Sequence, residues 1–289
     1  MTAHPPFLAP DADGVLAPHP IGLVDCTNEQ YHSGPGVSKS HLDAIAGKSP
    51  RHYWQKYINP DRERTPPTPA MVMGSAIHSA ILEPDLFPSE YVANPGIERR
   101  SNAGKAEYAA FEAEHKGKIV LSDEDFQACL AIRDAVHSHP LAAGLLTLGQ
   151  AEQSFYGIDP ETGELIKCRT DYMHDSGSMI VDLKSTEDAS PDGFGKSAAN
   201  FRYPVQIAWY HDVMDAAYGE HPEHWVFMAV EKKPPYAIGI YFTDPADVQR
   251  ARVAARRDFM RIVEAKRAGV WPDYGAEALP LSLPAWWRP

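Results

Sequence analysis

Cys168-Arg169-Thr170-Asp171 and, further on, Ile180-Val181-Asp182-Leu183-Lys184 are the two short segments on which the fold and the chemistry of this chain turn. Side chains alternate along a strand, so Asp182 and Lys184 share one face while Val181 and Leu183 point into a core on the other. Asp171 lies eleven positions before Asp182. A hairpin through Asp175-Ser176-Gly177-Ser178 brings the two carboxylates opposite each other at one sheet edge, with the lysine beside them.

Outward from this hairpin, the spacing predicts strands over 151–158, 166–173 and 178–184, with Asp159-Pro160-Glu161-Thr162-Gly163 as the turn between the first two. Helical periodicity follows over 194–218, then strands over 225–231 and 237–242, and a long charged helix over 245–268. Upstream, Ser38 and Ser40 precede the apolar Leu42 and Ile45, and Ser49-Pro50 opens a second short helix carrying Tyr53, Trp54 and Tyr57. A helix over 71–86 contains His78, and 101–145 is largely helical. The order implies an α/β fold, with a mixed central sheet flanked by helices and an N-terminal helical extension. Residues 1–30, rich in proline and small residues, read as a loosely ordered arm ahead of a single domain over 31–289.

The chain has 289 residues, 44% of them hydrophobic, ample for a core. No apolar run approaches the roughly 20 residues of a membrane helix, and the N-terminus has no signal-peptide pattern, so a cytoplasmic protein is expected. Cys26, Cys129 and Cys168 are scattered, which suggests neither a disulfide framework nor a cysteine-rich metal site. A net charge of −12 confines any nucleic-acid contact to a local patch.

Two carboxylates and a lysine at one edge suit phosphodiester hydrolysis. Hard carboxylate oxygens bind Mg²⁺ without saturating it, leaving room for water and a phosphate oxygen, and a compact ammonium offsets charge building on the phosphate. The competing reading is a surface ion pair between Asp182 and Lys184, which needs no purpose because exposed pairs contribute only about 0–1 kcal/mol. A histidine such as His78 is by itself more often a packing residue than a ligand. Gln206 and Tyr210 share a helix face, and Pro204 places Gln206 in a first turn, where free N–H groups favour an anion.

In this order the segments resemble the RecB-like branch of the PD-(D/E)XK nucleases, and most closely the RecE-type (exodeoxyribonuclease VIII-like) exonucleases of phage and prophage recombination. The matching residues are Tyr31 to Leu42 with Ser49-Pro50, Gly74 to Pro84 around His78, Cys168 to Asp171, Ile180 to Thr186, and Gln206 to Tyr210. The resemblance implies a metal held by His78, Asp171, Asp182 and the Leu183 backbone carbonyl. It makes Asp171, Asp182, Lys184, Gln206 and Tyr210 the catalytic set, with Mg²⁺ as cofactor and Mn²⁺ able to replace it. Glu152 is a further candidate ligand, or else an exposed charge at a strand end. Ser38, Ser40 and Arg51 are candidates for holding a DNA 5′ phosphate.

The same resemblance implies 5′→3′ digestion of one strand of linear duplex DNA, a homo-oligomeric ring (trimer or tetramer) around it, and a RecT-type annealing partner for the 3′ overhang. A ring needs basic lining, for which Arg62, Arg64, Arg99, Arg100, Lys232, Lys233 and the arginines of 250–261 are candidates, although those of the last helix read equally as a solvated stripe. Trp286-Trp287 reads as packing or subunit contact. Three scattered cysteines exclude the iron–sulfur subgroup, and no phosphate-binding G-x-x-x-x-G-K-[ST] loop of an ATP motor is present. Two alternatives stay open: a structure-specific endonuclease of the same superfamily, and a non-catalytic DNA-binding protein on the same fold.

Overall fold

The computed structural model describes residues 20–63, 65–275, 277–278, 280–283 and 287. The chain opens with β1 (Gly22–Val24), α1 (Asn28–Ser33), α2 (Lys39–Ile45) and α3 (Pro50–Tyr53), the last running into a π-helical turn over Trp54–Ile58. Next come α4 (Pro69–Leu82), α5 (Phe87–Glu90), β2 (Tyr91–Ala93), α6 (Asn102–Glu114), β3 (Ile119–Leu121), α7 (Asp123–Ser138) and α8 (Pro140–Leu145). The second half holds β4 (Gly149–Ile158), β5 (Leu165–His174), β6 (Met179–Thr186), α9 (Pro191–Asn200), α10 (Tyr203–Tyr218), β7 (His224–Glu231), β8 (Ile238–Phe242) and α11 (Pro245–Ala268).

Six strands form one mixed sheet in the order β1-β4-β5-β6-β7-β8, in which only β6 and β7 run parallel. Helices cover both faces, as a sheet apolar on both sides requires. Leu42, Ile45, Tyr53, Ile207, Trp209, Phe259 and Ile262 from α2, α3, α10 and α11 pack on one face against Phe155, Ile180 and Phe227. On the other, Ile77 and Ile81 of α4 and Ile132 and Val136 of α7 pack against Val181, Leu183, Met228 and Val230. Along β6 the two faces alternate residue by residue, Ile180 to one layer and Val181 and Leu183 to the other.

Several expectations change at the N-terminal end. The helices foreseen as an extension are instead structural layers, since α2 and α3 supply one core and α4 the other. Within the span read as a loose arm, residues 22–24 form an edge strand paired with β4, and Val24 is buried. Residues 1–19 lie outside the described residues. A second, two-stranded parallel sheet joins β2, in a stretch given no element, to β3, inside the region read as largely helical; three-residue strands are too short to show an alternation in sequence.

Two helix boundaries also moved for identifiable reasons. The helix around His78 starts at Pro69, with Thr68 capping the Met71 N–H, and ends at Leu82 before Pro84. The helix expected over 194–218 is two, α9 and α10, broken at Phe201–Arg202, where Arg202 takes the left-handed conformation (φ 58°). Pro204 lacks the N–H that a continuous helix would direct at the Asn200 carbonyl, so the helix must restart. The long α11 matches its expected limits because its punctuation is explicit, with Asp244 and Pro245 at its start and Gly269 (φ 65°) just past its end.

Candidate metal centre

The β5–β6 ladder pairs Met173 with Ile180 and Tyr172 with Val181 and then stops. Asp171 and Asp182 are the next residues past its end, one on each strand, where the strands part. Leu183, still paired with Met228 of β7 but no longer with β5, turns its N–H to Asp171 Oδ2 at 2.8 Å. On the other side of β5 the β4 ladder is interrupted at the same level. Ala151 pairs with Tyr172 and Gln153 with Thr170, while Glu152 between them sits at φ 54°. Left-handed backbone is uncommon for glutamate. In both strands the inside–outside alternation slips here: Phe155 and Cys168 face one helical layer, Ala151 and Tyr172 the other. This slip turns Glu152 toward Asp171.

The third donor comes from α4, whose buried Ile77, Ala80 and Ile81 fix the helix on the sheet and direct His78 at the gap. Ligand atoms of His78, Glu152 and Asp171 lie within 4.8 Å of one another, with His78 Nδ1 3.8 Å from Asp171 Oδ2. The Leu183 backbone carbonyl faces the same imidazole. Burial, reinforced by Lys184, lowers the pKa of His78 and keeps the ring neutral, the form that coordinates a metal.

Asp182 is only 1% exposed. One of its oxygens pairs with the Lys184 ammonium, and the other accepts a hydrogen bond from the Gln206 side-chain amide. Its Oδ1 is buried and, despite the lysine beside it, accepts no hydrogen bond of regular geometry. Burial pushes both Asp171 and Asp182 up to about 6, opposed by Lys184 and, for Asp182, reinforced by the charge of Asp171. Burial alone would depress Lys184, but the two aspartates outweigh it and its pKa is raised. Two carboxylates, Asp182 buried and Asp171 partly so, beside one ammonium leave a net negative charge in a site poor in water, which a cation would neutralise. The mixed carboxylate and imidazole donors and this charge fit a divalent metal.

The sequence-derived candidates divide. His78, Asp171, Asp182, Lys184 and Gln206 converge, and Glu152 joins them as more than a stray strand-end charge. Gln206 does so through its amide side chain, because its backbone N–H is bonded to the Arg202 carbonyl at 3.3 Å and offers nothing to an anion. Tyr210 lies one helical turn further on, 9% exposed and edge-on to Trp225 at 5.3 Å. Ser38 Oγ is engaged by His41 Nδ1 (2.7 Å) and Ser40 Oγ (3.0 Å), next to the Val37–Ile166 bridge. Arg51 is exposed and lies 3.7 Å from Asp273.

Two contributors escaped sequence reasoning. Arg169, on β5 two residues before Asp171, clamps Glu152 Oε2 at 2.6 Å and also donates to Ser154 Oγ and the Cys26 carbonyl. Tyr203, one turn before Gln206, lies with its ring 5.0 Å from the Lys184 ammonium. The spacings Arg169-x-Asp171 and Tyr203-x-x-Gln206 were visible as same-face pairs, but nothing in them announces a role.

Most basic residues considered for a DNA-lining role already have protein partners. In α11, Arg252 pairs with Asp212 (3.2 Å), Arg256 with Asp159 (2.6 Å) and Arg257 with Asp258 (3.0 Å), while Arg250 pairs with Asp247 and Arg261 donates to the Ile45 carbonyl. Lys232 pairs with Glu187 (2.5 Å), Arg100 with Glu98 (3.5 Å), Arg62 donates to the Asn59 carbonyl, and Arg99 lies over the Tyr108 ring. Arg64 and Trp286 lie outside the described residues, and Trp287 is half exposed. No helix among the described residues is long and apolar enough to cross a membrane.

A family model described as a PDDEXK-like domain of unknown function (DUF3799) matches residues 38–280. The crystal structure of a candidate exonuclease from Eubacterium rectale superposes with a TM-score of 0.61 at 18% identity, covering 90% of this chain and 97% of that one. It shares the fold. The solved structure of SSO0001 is 16% identical over 64% of this chain and 85% of that one, with a TM-score of 0.29. No curated protein matches the chain.

Proposed function

The chain belongs to the DUF3799 family of PDDEXK-like domains, and on that premise we propose that it is a divalent-metal-dependent nuclease that hydrolyses DNA. The observation that carries this reading is the gathering of His78, Glu152 and Asp171 at the parting of β5 and β6, beside an Asp182 that is paired with Lys184. A divalent cation held there would polarise a phosphodiester and make water a stronger acid. Asp171 and Asp182 would supply the anionic oxygens to hold it, His78 a neutral nitrogen, and Glu152 a further carboxylate kept in place by Arg169. Gln206 fixes the orientation of the Asp182 carboxylate. Lys184 places a positive charge beside the reacting phosphate, where charge stabilisation in a water-poor site is worth most.

Within that reading, we assign the chain to RecE-type digestion of linear duplex DNA from a 5′ end with Mg²⁺, or Mn²⁺ in its place. The product is a 3′ overhang for a RecT-type annealing partner. The order of the five motifs supports this assignment, and the same resemblance supports a trimeric or tetrameric ring. The test is digestion of linear duplexes labelled at the 5′ or the 3′ end, alongside a covalently closed circle. The expected result is early release of 5′ label, late release of 3′ label and an intact circle. Cutting of the circle would replace the exonuclease reading with an endonuclease, and early release of 3′ label would reverse the polarity.

A further inference from the structure

The corner between α9 and α10 is more tightly held than a helix junction requires. Arg202 occupies the left-handed region (φ 58°, ψ 44°), which a residue with a side chain keeps only where its surroundings over-determine it. Its guanidinium is gripped by Asp258 of α11, 0% exposed, at 2.5 Å and by Asp43 of α2 at 3.0 Å. The preceding carbonyl, that of Phe201, accepts a hydrogen bond from the Lys39 ammonium at 2.7 Å. Three charged groups from two other helices thus fix a two-residue turn.

What the turn presents is a large apolar ring. Phe201 is 61% exposed. It stacks on Tyr203 with centroids 5.9 Å apart and planes 21° apart, and the Tyr203 ring in turn lies 5.0 Å from the Lys184 ammonium. A file of three groups therefore runs from solvent to the metal centre: Phe201, Tyr203, Lys184. Isolated exposed aromatics are common and need no account. This one is anchored at a strained corner and leads directly to the group assigned to the reacting phosphate.

We propose that Phe201 stacks on a nucleobase of the strand being cleaved, next to the scissile phosphate, with Tyr203 as the second ring beneath it. The inference rests on the nuclease reading and adds to it a grip on the base. Every base offers a π-face, so such a contact holds the strand without selecting its sequence, and it requires the terminal base to be unpaired.

The test compares kcat/KM on linear duplexes that are intact or carry an abasic tetrahydrofuran residue beside the first cleaved phosphodiester. For the wild-type protein the abasic substrate should be digested roughly tenfold more slowly, the order expected for one lost base–aromatic stack. Phe201→Ala should be slower by about the same factor on intact DNA, with little further loss on the abasic substrate. Phe201→Trp should restore both rate and abasic sensitivity, whereas Phe201→Leu, apolar but without a ring, should behave like Phe201→Ala. Wild-type rate and wild-type abasic sensitivity in Phe201→Ala, or rescue by leucine, would overturn the stacking role alone. Absence of digestion by the wild-type protein would overturn the nuclease reading and the stacking role with it.

Discussion

At the scale of single residues, the centre is defined by what Asp171 and Asp182 share. Each is pushed up to about 6, first by burial, so each folded carboxyl binds its proton more tightly than the unfolded chain does near 3.8. The sign follows from linkage: between about pH 4 and pH 6 the folded state holds protons that the unfolded state has lost, so these two groups make the metal-free protein less stable as pH rises through that window. Metal binding requires both groups ionised and reverses the effect above pH 6. Thermal melts in chelator should therefore show a loss of stability from about pH 4 to 6 that shrinks in Asp171→Asn, and Mn²⁺ affinity by calorimetry should weaken as pH falls through about 6. A metal affinity unchanged from pH 7 to pH 5 would contradict this account. Asp182 and Lys184 were legible as neighbours on one strand face. Arg169 and Tyr203 were not, because a cation beside an acid or a ring beside a lysine has meaning only once tertiary structure closes the distance.

At the scale of elements, the site depends on how closely α10 lies on the sheet. Gly157 of β4 touches that helix, and a Cβ there would come within 2.8 Å of both Ala216 Cβ and the Val213 carbonyl oxygen. Gly157→Ala should thus force α10 outward, costing about 1–3 kcal/mol as overpacking does, and draw Gln206 away from Asp182. The urea midpoint should fall and metal-dependent activity should fall further than the stability loss alone explains; an unchanged midpoint would show that the helix has room to move. The elements of the second half were readable because each carries its own punctuation, as Asp244-Pro245 and Gly269 do for α11. Those missed, β1, β2 and β3, are three-residue strands fixed entirely by partners distant in sequence, whereas the α9–α10 break was signalled by Pro204, which places Gln206 in a first turn, although the helical spacing runs on across it. The slip in β4 and β5 that turns Glu152 inward has no local signal at all, since glutamate at positive φ is a tertiary imposition.

For the whole molecule, a net charge of −12 and arginines largely committed to carboxylates leave few cations to meet phosphates. DNA affinity per subunit should thus vary shallowly with salt. With about four phosphate contacts or fewer, the slope of log K against log salt is about −3.6 or shallower, measurable by fluorescence anisotropy in Ca²⁺; a much steeper slope would reveal a basic channel formed from other residues. The sheet, both helical layers and the convergence on β5 and β6 all serve to hold Lys184 against Asp182 beside the donor cluster, and the central claim is that this arrangement cleaves DNA. The direct measurement is Mg²⁺-dependent digestion of a linear duplex by the wild-type protein and by Lys184→Ala, each shown to be folded by its melting transition. The wild-type protein should degrade the duplex only with metal, and the variant should be slower by roughly 10²–10³-fold or more, the cost of removing a preorganised stabilising group. Equal digestion by both proteins, or digestion by neither, would contradict that claim.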